Sequence, residues 1–403
     1  MADSVREIAK PGALHDEREI EAVVEVLRTS TLDLGPKIEE METRTAELLA
    51  KRHGVMVNSG SSALRLAIDL LHLQPGDEII TSVLTFSTDI APMVQSGIVP
   101  VLVDVEPSSY QIDVDRIEEM IGPRTKAILT PNLVGNCPDW DRIRAIADAH
   151  GLKVVEDSCD VLDSRLRGTR TGTRSDISVT SFARTHSITA AGNGGMVGID
   201  DDDLLDECLM LRRWGRRSEQ YLYGSKKGAD DRFSVTVDGM PYDNIFVFEN
   251  IGYNFEPSEI GAAYGCVQLD KLADYNERRR FAFRRYDDFF SGQEERFVRP
   301  TTTPDVDSTW MLYPYMVQED AGFDRTEAQE FLESRGVPTR VVWSGNITRQ
   351  PGFASIPRRE PSDGFPNADR VMASALMLPT HQALSSDDVG YVVEQLQALT
   401  ERG

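Results

Sequence analysis

Four short stretches hold residues whose types and spacing suit chemistry. The first, Asn58-Ser-Gly-Ser-Ser-Ala63, follows a short apolar run and leads into a helical pattern. Gly60, Ser61 and Ser62 would then lie at a helix N-terminus, where free N–H groups and the helix dipole attract a phosphate. A serine there is equally the ordinary N-cap. The second stretch, Val154–Asp160 (VVEDSCD), would deliver Asp157 from the end of a strand. Such a carboxylate can hold a protonated ring nitrogen, or it can simply cap its own loop. The third, Thr180–Val197, sets Ser181 at a strand end, His186 soon after and a glycine-rich turn beyond. Histidine moves protons near neutral pH, although a lone histidine is as readily structural. The fourth, Ile251–Gly265, places Asn254 in a loop before a helix of small residues.

The elements that must position these residues follow from the apolar pattern. Residues 16–28 carry Ile20, Val23, Val24 and Leu27 at helical spacing, and Pro36 suits the first turn of a second helix. Short apolar runs then alternate with helical segments: 54–58, 78–82, 99–105, 126–131, 153–156 and 177–182, with a helix at 140–150. This is the pattern of an α/β fold, a mostly parallel sheet covered by helices on both faces. Ligands of such sheets sit at the carboxyl ends of the strands, where the four stretches fall. A charged helix is expected at 275–289, then strands at 311–317 and 338–342 and helices at 326–334 and 386–399. The predicted organisation is an N-terminal arm and helix (1–35), a large α/β domain (36–270) and a smaller C-terminal α+β domain (271–403).

Composition narrows the partners. With 43 basic and 66 acidic residues the net charge is −23, which argues against nucleic acid and against an anionic membrane surface. No apolar run reaches membrane-span length, and the polar start lacks a signal-peptide core. Four scattered cysteines suggest neither a disulfide framework nor a metal ribbon, and a cytoplasmic location fits. Only eight of the basic residues are lysine, none of them between Lys153 and Lys226.

Taken together and in this order, the four stretches resemble the DegT/StrS-type family of pyridoxal-phosphate sugar aminotransferases and dehydratases. The resemblance extends through TLDLGPKIEEME, GDEIITSVLTFSTDIAPM, VDVEPSSYQID and LPTHQALSSDDV, and so spans nearly the whole chain. It implies the type I aminotransferase fold. Family members typically read S-F-x-x-x-K, and that lysine forms a Schiff base with the cofactor; here the position is His186. Histidine forms no stable Schiff base, and the pattern resembles the 3-dehydratase branch, which deoxygenates C3 of nucleotide-linked 4-keto-6-deoxyhexoses. Local likeness is to the ascarylose type through EDSCDVL, RRWGRR and YDNIFVFENIGYN, and to the colitose type through RVVWSGNI. The ascarylose type carries a 2Fe–2S cluster on four cysteines. Here Cys159 matches the first, but the stretch after Trp214-Gly-Arg has no cysteine, so no cluster is expected.

The resemblance implies a non-covalent PMP/PLP cofactor, L-glutamate as amino donor, a nucleotide-diphosphate 4-keto-6-deoxyhexose as substrate and a homodimer with sites at the interface. His186 would be the acid/base, Asp157 would pair the ring nitrogen, Phe86 would stack on the ring and Asp160 would lie near the ring hydroxyl. Ser61, Ser62 and Ser181 would hold the phosphate beside Gly60, with Asn254 reaching it from the partner subunit. Arg212, Arg216 and Arg217, in the one dense basic stretch, are candidates for the pyrophosphate. Arg340, Asn346, Arg349 and His381 are further substrate candidates. The competing readings are a sugar-nucleotide aminotransferase, an isomerase, and a regulatory pseudo-enzyme that has lost its lysine.

Overall fold

The computed structural model describes residues 6–30, 32–229 and 232–402. Residues 1–5 of the expected N-terminal arm, and Thr31, Asp230, Asp231 and Gly403, lie outside it.

Seven strands form the central sheet: β1 (His53–Val57), β2 (Glu78–Ser82), β3 (Val99–Val103), β4 (Thr125–Pro131), β5 (Lys153–Asp157), β6 (Ile177–Ser181) and β7 (Gly195–Ile199). Their order is β1-β7-β6-β5-β4-β2-β3. The run from β3 to β6 is parallel, and only β7 is antiparallel to its neighbours β6 and β1. In β5 only Lys153 is exposed, because helices cover both faces and leave no solvated side for a polar alternation. β3 stops at Val103, two residues earlier than its apolar run, because the Asp104 carboxylate accepts from the Asn367 and Ala368 amides.

The helices start where their caps dictate. α1 (Glu17–Thr29) has a complete capping box between Asp16 and Glu19, and α2 (Pro36–Leu48) takes Pro36 at its first position. α3 (Gly60–Asp69) and α4 (Ser87–Gln95) follow β1 and β2 and open at the carboxyl edge of the sheet. α5 (Trp140–His150) and α6 (Asp202–Arg212) complete the large layer.

Two expectations differ from the structure. The boundary at 270/271 falls inside one continuous helix, α7 (Glu259–Phe290), which packs against α1 and α2 at one end and the C-terminal region at the other. The sequence between 266 and 290 holds neither glycine nor proline, so nothing breaks it. Residues 338–342 form no strand. Pro338 has no amide to donate, and the segment keeps a single bridge, Arg340 to Met377. The C-terminal sheet is therefore β8 (Phe297–Val298), β9 (Leu312–Val317) and β10 (Ala375–Pro379), all antiparallel. Helices α8 (Arg325–Ser334), α9 (Pro366–Ser374) and α10 (Ser386–Thr400) accompany it. Among the described residues no helix is long and apolar enough to cross a membrane.

Candidate active site

The ends of β1, β5 and β6 close on one another through Gly60. A Cβ added there would meet the Ser181 Cβ at 2.6 Å and the Cys159 Sγ at 3.1 Å, so only glycine lets α3 open this close to both strands. Gly195 does the same from β7, with the Ser59 backbone 2.4 Å from where its Cβ would be. At the start of α3, the Ser59 hydroxyl accepts from the Ser62 amide (3.1 Å), and the Ser62 hydroxyl donates to the Asn58 Oδ1 (2.6 Å). Ser62 is thereby committed to the cap. Ser61 is exposed, beside the unpaired N–H groups of the first helical turn. The Ser181 hydroxyl accepts from the Ala183 amide (3.2 Å) and turns the chain toward His186.

Acidic groups crowd the end of β5. Glu156 is fully internal: Asn132, Ser158 and Thr171 all donate to its Oε1 at 2.6–2.8 Å, and the Trp140 indole holds Asn132. Burial still pushes its carboxyl up. Asp157, 5% exposed, accepts from the Cys159 amide at 2.9 Å, and burial raises it too. Asp160 accepts from the Val134 amide (2.8 Å) and the Trp343 indole (2.9 Å). Burial pushes it up to about 7, against those donors and with help from the charge of Asp157. Trp343 also meets Phe86 edge-on, with ring centroids 6.4 Å apart; Phe86, the N-cap of α4, is 54% exposed. Phe86, Trp343 and Arg340 line a cavity of about 680 Å³.

His186 follows in the loop after β6. Burial lowers it to about 4, opposed by a hydrogen bond with the Ser181 backbone and reinforced by the charge of Arg279. Its imidazole is therefore neutral at neutral pH, not poised near 6.5 as free histidine is. The Nδ1 atom is buried without a partner. Arg279, from α7, donates to the His186 carbonyl (3.0 Å) and to the Gln382 Oε1 (2.7 Å), and has no carboxylate partner among the described residues. No lysine replaces the histidine. Lys51 is held by the Ser175 carbonyl and Asp200, Lys271 by Glu19 and Asp16, and Lys226 and Lys227 by Gln220 and Glu39.

The structure divides the substrate candidates. Arg212 is 1% exposed, and its Nη1 donates to Glu42 (2.8 Å) and the Met56 carbonyl (3.0 Å), which places it inside the fold rather than at a ligand surface. Asn346 is buried on Asp369 (2.8 Å) and caps the turn at Thr348. Arg349 grips the same Asp369 with two nitrogens. His381 is buried and ties the Ala9 carbonyl (2.8 Å), fastening the N-terminal arm. For Arg212, Asn346 and His381 the expectation is corrected, since each is buried on partners within the fold, whereas Arg349 is an exposed ion pair. Arg217 pairs with Glu249 (3.1 Å). Arg216 stacks over Trp214, 4.3 Å from the ring centre, and Arg340 is exposed at the cavity; neither forms an ion pair among the described residues. Asn254 is exposed, its backbone bridged to Arg213.

Three site residues escaped sequence reasoning. Trp343 lies in a quoted motif, and its indole gave no sign of reaching Asp160. Arg279 sits in a run of three arginines that reads as a solvated face. Asp89, in the first turn of α4, reads as an ordinary partner of the helix dipole but is 1% exposed at the site.

Comparison with known proteins bears on the family and the fold. The profile of the DegT/DnrJ/EryC1/StrS aminotransferase family matches residues 14–397. A dTDP-4-dehydro-2,6-dideoxy-D-glucose 3-dehydratase from Saccharopolyspora spinosa is 35% identical over 96% of this chain and 86% of its own. The structure of an E. coli GDP-4-keto-6-deoxy-D-mannose-3-dehydratase with bound hydrated PLP superposes with a TM-score of 0.87 at 27% identity, covering 97% of this chain and all (100%) of that one. The aminotransferase TlmJ from Streptoalloteichus hindustanus superposes with a TM-score of 0.83, also at 27% identity, over 99% of this chain and 100% of its own.

Proposed function

The chain belongs to the DegT/DnrJ/EryC1/StrS aminotransferase family, and on that premise we propose that it removes the C3 hydroxyl of a nucleotide-diphosphate-linked 4-keto-6-deoxyhexose. The cofactor is non-covalent PMP, replenished from PLP by L-glutamate. The observation that carries this reading is His186, a neutral histidine with an unpartnered Nδ1, in a stretch from 154 to 225 that holds no lysine.

The chain's residues fit such a cofactor. Asp157 offers a buried carboxylate for a ring nitrogen, Phe86 an exposed ring face, and Ser61 with the first-turn amides of α3 a phosphate cradle. When bound, PMP supplies an amine for the C4 ketone and an electron-withdrawing ring. His186 would do the proton work, its neutral imidazole serving first as base and then, once protonated, as acid toward the departing C3 oxygen. Asp157 would keep the ring nitrogen protonated, and Asp160, steadied by the Trp343 indole, would serve the ring hydroxyl. Arg340 and Arg216 are the cations left for the pyrophosphate.

An Fe–S-independent route is supported by cysteine placement, since Cys137, Cys208 and Cys266 are buried in different core clusters, away from Cys159. A homodimer is supported by the exposed apolar side chains of Phe233, Met240, Phe246, Phe248 and Ile251, in the segment leading to Asn254. The test is incubation with PMP, glutamate and a panel of TDP-, CDP- and GDP-4-keto-6-deoxyhexoses, followed by mass spectrometry. The expected product has lost one oxygen. A product in which nitrogen replaces oxygen would establish transamination instead.

A further inference from the structure

We propose that Arg279 is a positioning residue for His186: its forked guanidinium grips the His186 carbonyl and ties it to the C-terminal region, fixing where the imidazole sits. This rests on the reading of His186 as the group that moves protons.

The partners of Arg279 come from three parts of the chain. Its Nη2 donates to the His186 carbonyl (3.0 Å) and to the Gln382 Oε1 (2.7 Å), and its Nη1 donates to the Met311 carbonyl (3.3 Å). His186 lies in the loop after β6, Met311 immediately before β9, and Gln382 three residues beyond β10. Arg279 itself stands on α7, which packs against α1 and α2 at one end and the C-terminal region at the other. One side chain thus joins the end of the large sheet to two strand ends of the small one.

The loop that carries His186 is otherwise held only by itself. Its stem closes on the Phe182 carbonyl, which accepts from the Thr189 hydroxyl (2.9 Å) and the Ala190 amide (3.1 Å). Within it the His186 amide donates to the Ala183 carbonyl (3.0 Å). Among the described residues the His186 carbonyl accepts from Arg279 alone.

The choice of side chain supports a geometric role. Arg279 is 2% exposed, and its Nε is buried without an acceptor. A buried cation with no counter-ion is costly, and an apolar side chain of that size would avoid the cost. What arginine adds is several donors in one rigid plane, here directed at neutral oxygens.

The test compares wild type with R279K, which keeps the buried charge and loses the fork. In cofactor-free protein with isotope-labelled histidine, the His186 ring signal, assigned by its absence in H186N, is expected to be single and sharp in wild type. In R279K it is expected to split or broaden, while the signals of His53 and His150, paired at the surface with Asp202 and Glu118, stay as they are. With PMP and the sugar nucleotide that wild type turns over, kcat of R279K is expected to fall about tenfold or more below its unfolding temperature, with KM unchanged. An arginine that only held the fold together would lower the melting temperature and leave both readouts alone. A His186 signal or a kcat in R279K like that of wild type would overturn the proposal. If wild type deoxygenates nothing, the functional reading fails, while the ring signal still decides whether Arg279 holds His186.

Discussion

Replacing Asp160 by asparagine tests the electrostatics of the site without any substrate. Asp160 is raised from 3.8 to about 7, first by burial and then by the neighbouring charge of Asp157. The sign follows from linkage. A carboxyl whose folded pKa is raised contributes its stability below 3.8 and loses it as pH climbs through about 7. At about 1.4 kcal/mol per pH unit, the ceiling is about 4 kcal/mol, and the partial exposure of the side chain brings this to about 2 kcal/mol. Asparagine keeps an oxygen for the Val134 amide and the Trp343 indole, so those hydrogen bonds survive the change. Urea unfolding of cofactor-free wild type and D160N at intervals from pH 4 to 8 measures the difference. D160N is expected to gain on wild type by about 2 kcal/mol across that range, most steeply between about pH 5 and 6 and levelling off above about 7. A stability difference independent of pH would refute the reasoning, because it would mean that Asp160 titrates in the fold as it does in the unfolded chain.

Three further outcomes follow from named contacts. His186→Asn is expected to lower the deoxygenation rate by about 10²–10⁴-fold while PLP binding stays within a few fold, as single-turnover rates and equilibrium titration would show; an unchanged rate removes His186 from the chemistry. Arg279→Gln takes away a charge that helps hold His186 down, so an NMR titration should find the imidazole moved from about 4 toward 6.5, and no movement would deny that coupling. Arg212→Met strands Glu42 without its counter-ion in a site where burial already raises the carboxyl. The expected cost is about 3–5 kcal/mol of stability with KM for the sugar nucleotide unchanged, and a raised KM in a stable variant would return Arg212 to the substrate site.

What could be read in the sequence was whatever depends on neighbours along the chain. Strand ends at 82 and 131, those at 157 and 181 to within a residue, and the starts of α2 and α3 were legible because apolar periodicity and capping residues are local signals. The basic run at 212–217 looked like one patch, but Glu42, 170 residues away, takes Arg212 inside while Glu249 takes Arg217. Asn346 and His381 were misjudged for the same reason, since Asp369 and Ala9 meet them only in the fold. Asp89 shows the converse: an acidic residue in a first turn is so ordinary that its burial leaves no trace in the sequence.

His186 combines both cases. Its type and place at the end of β6 were legible, but its protonation was set by burial and by Arg279, 93 residues away. That difference orders the chemistry. A histidine near 6.5 could begin as acid or base, whereas one held near 4 enters the reaction neutral and can give up only a proton it has first taken. Base before acid is thus a consequence of the fold. It fits the proposed reaction, in which C–H cleavage precedes loss of the C3 oxygen, and a rate that stays level from pH 8 down to pH 5, above the titration of His186 near 4, would be its signature.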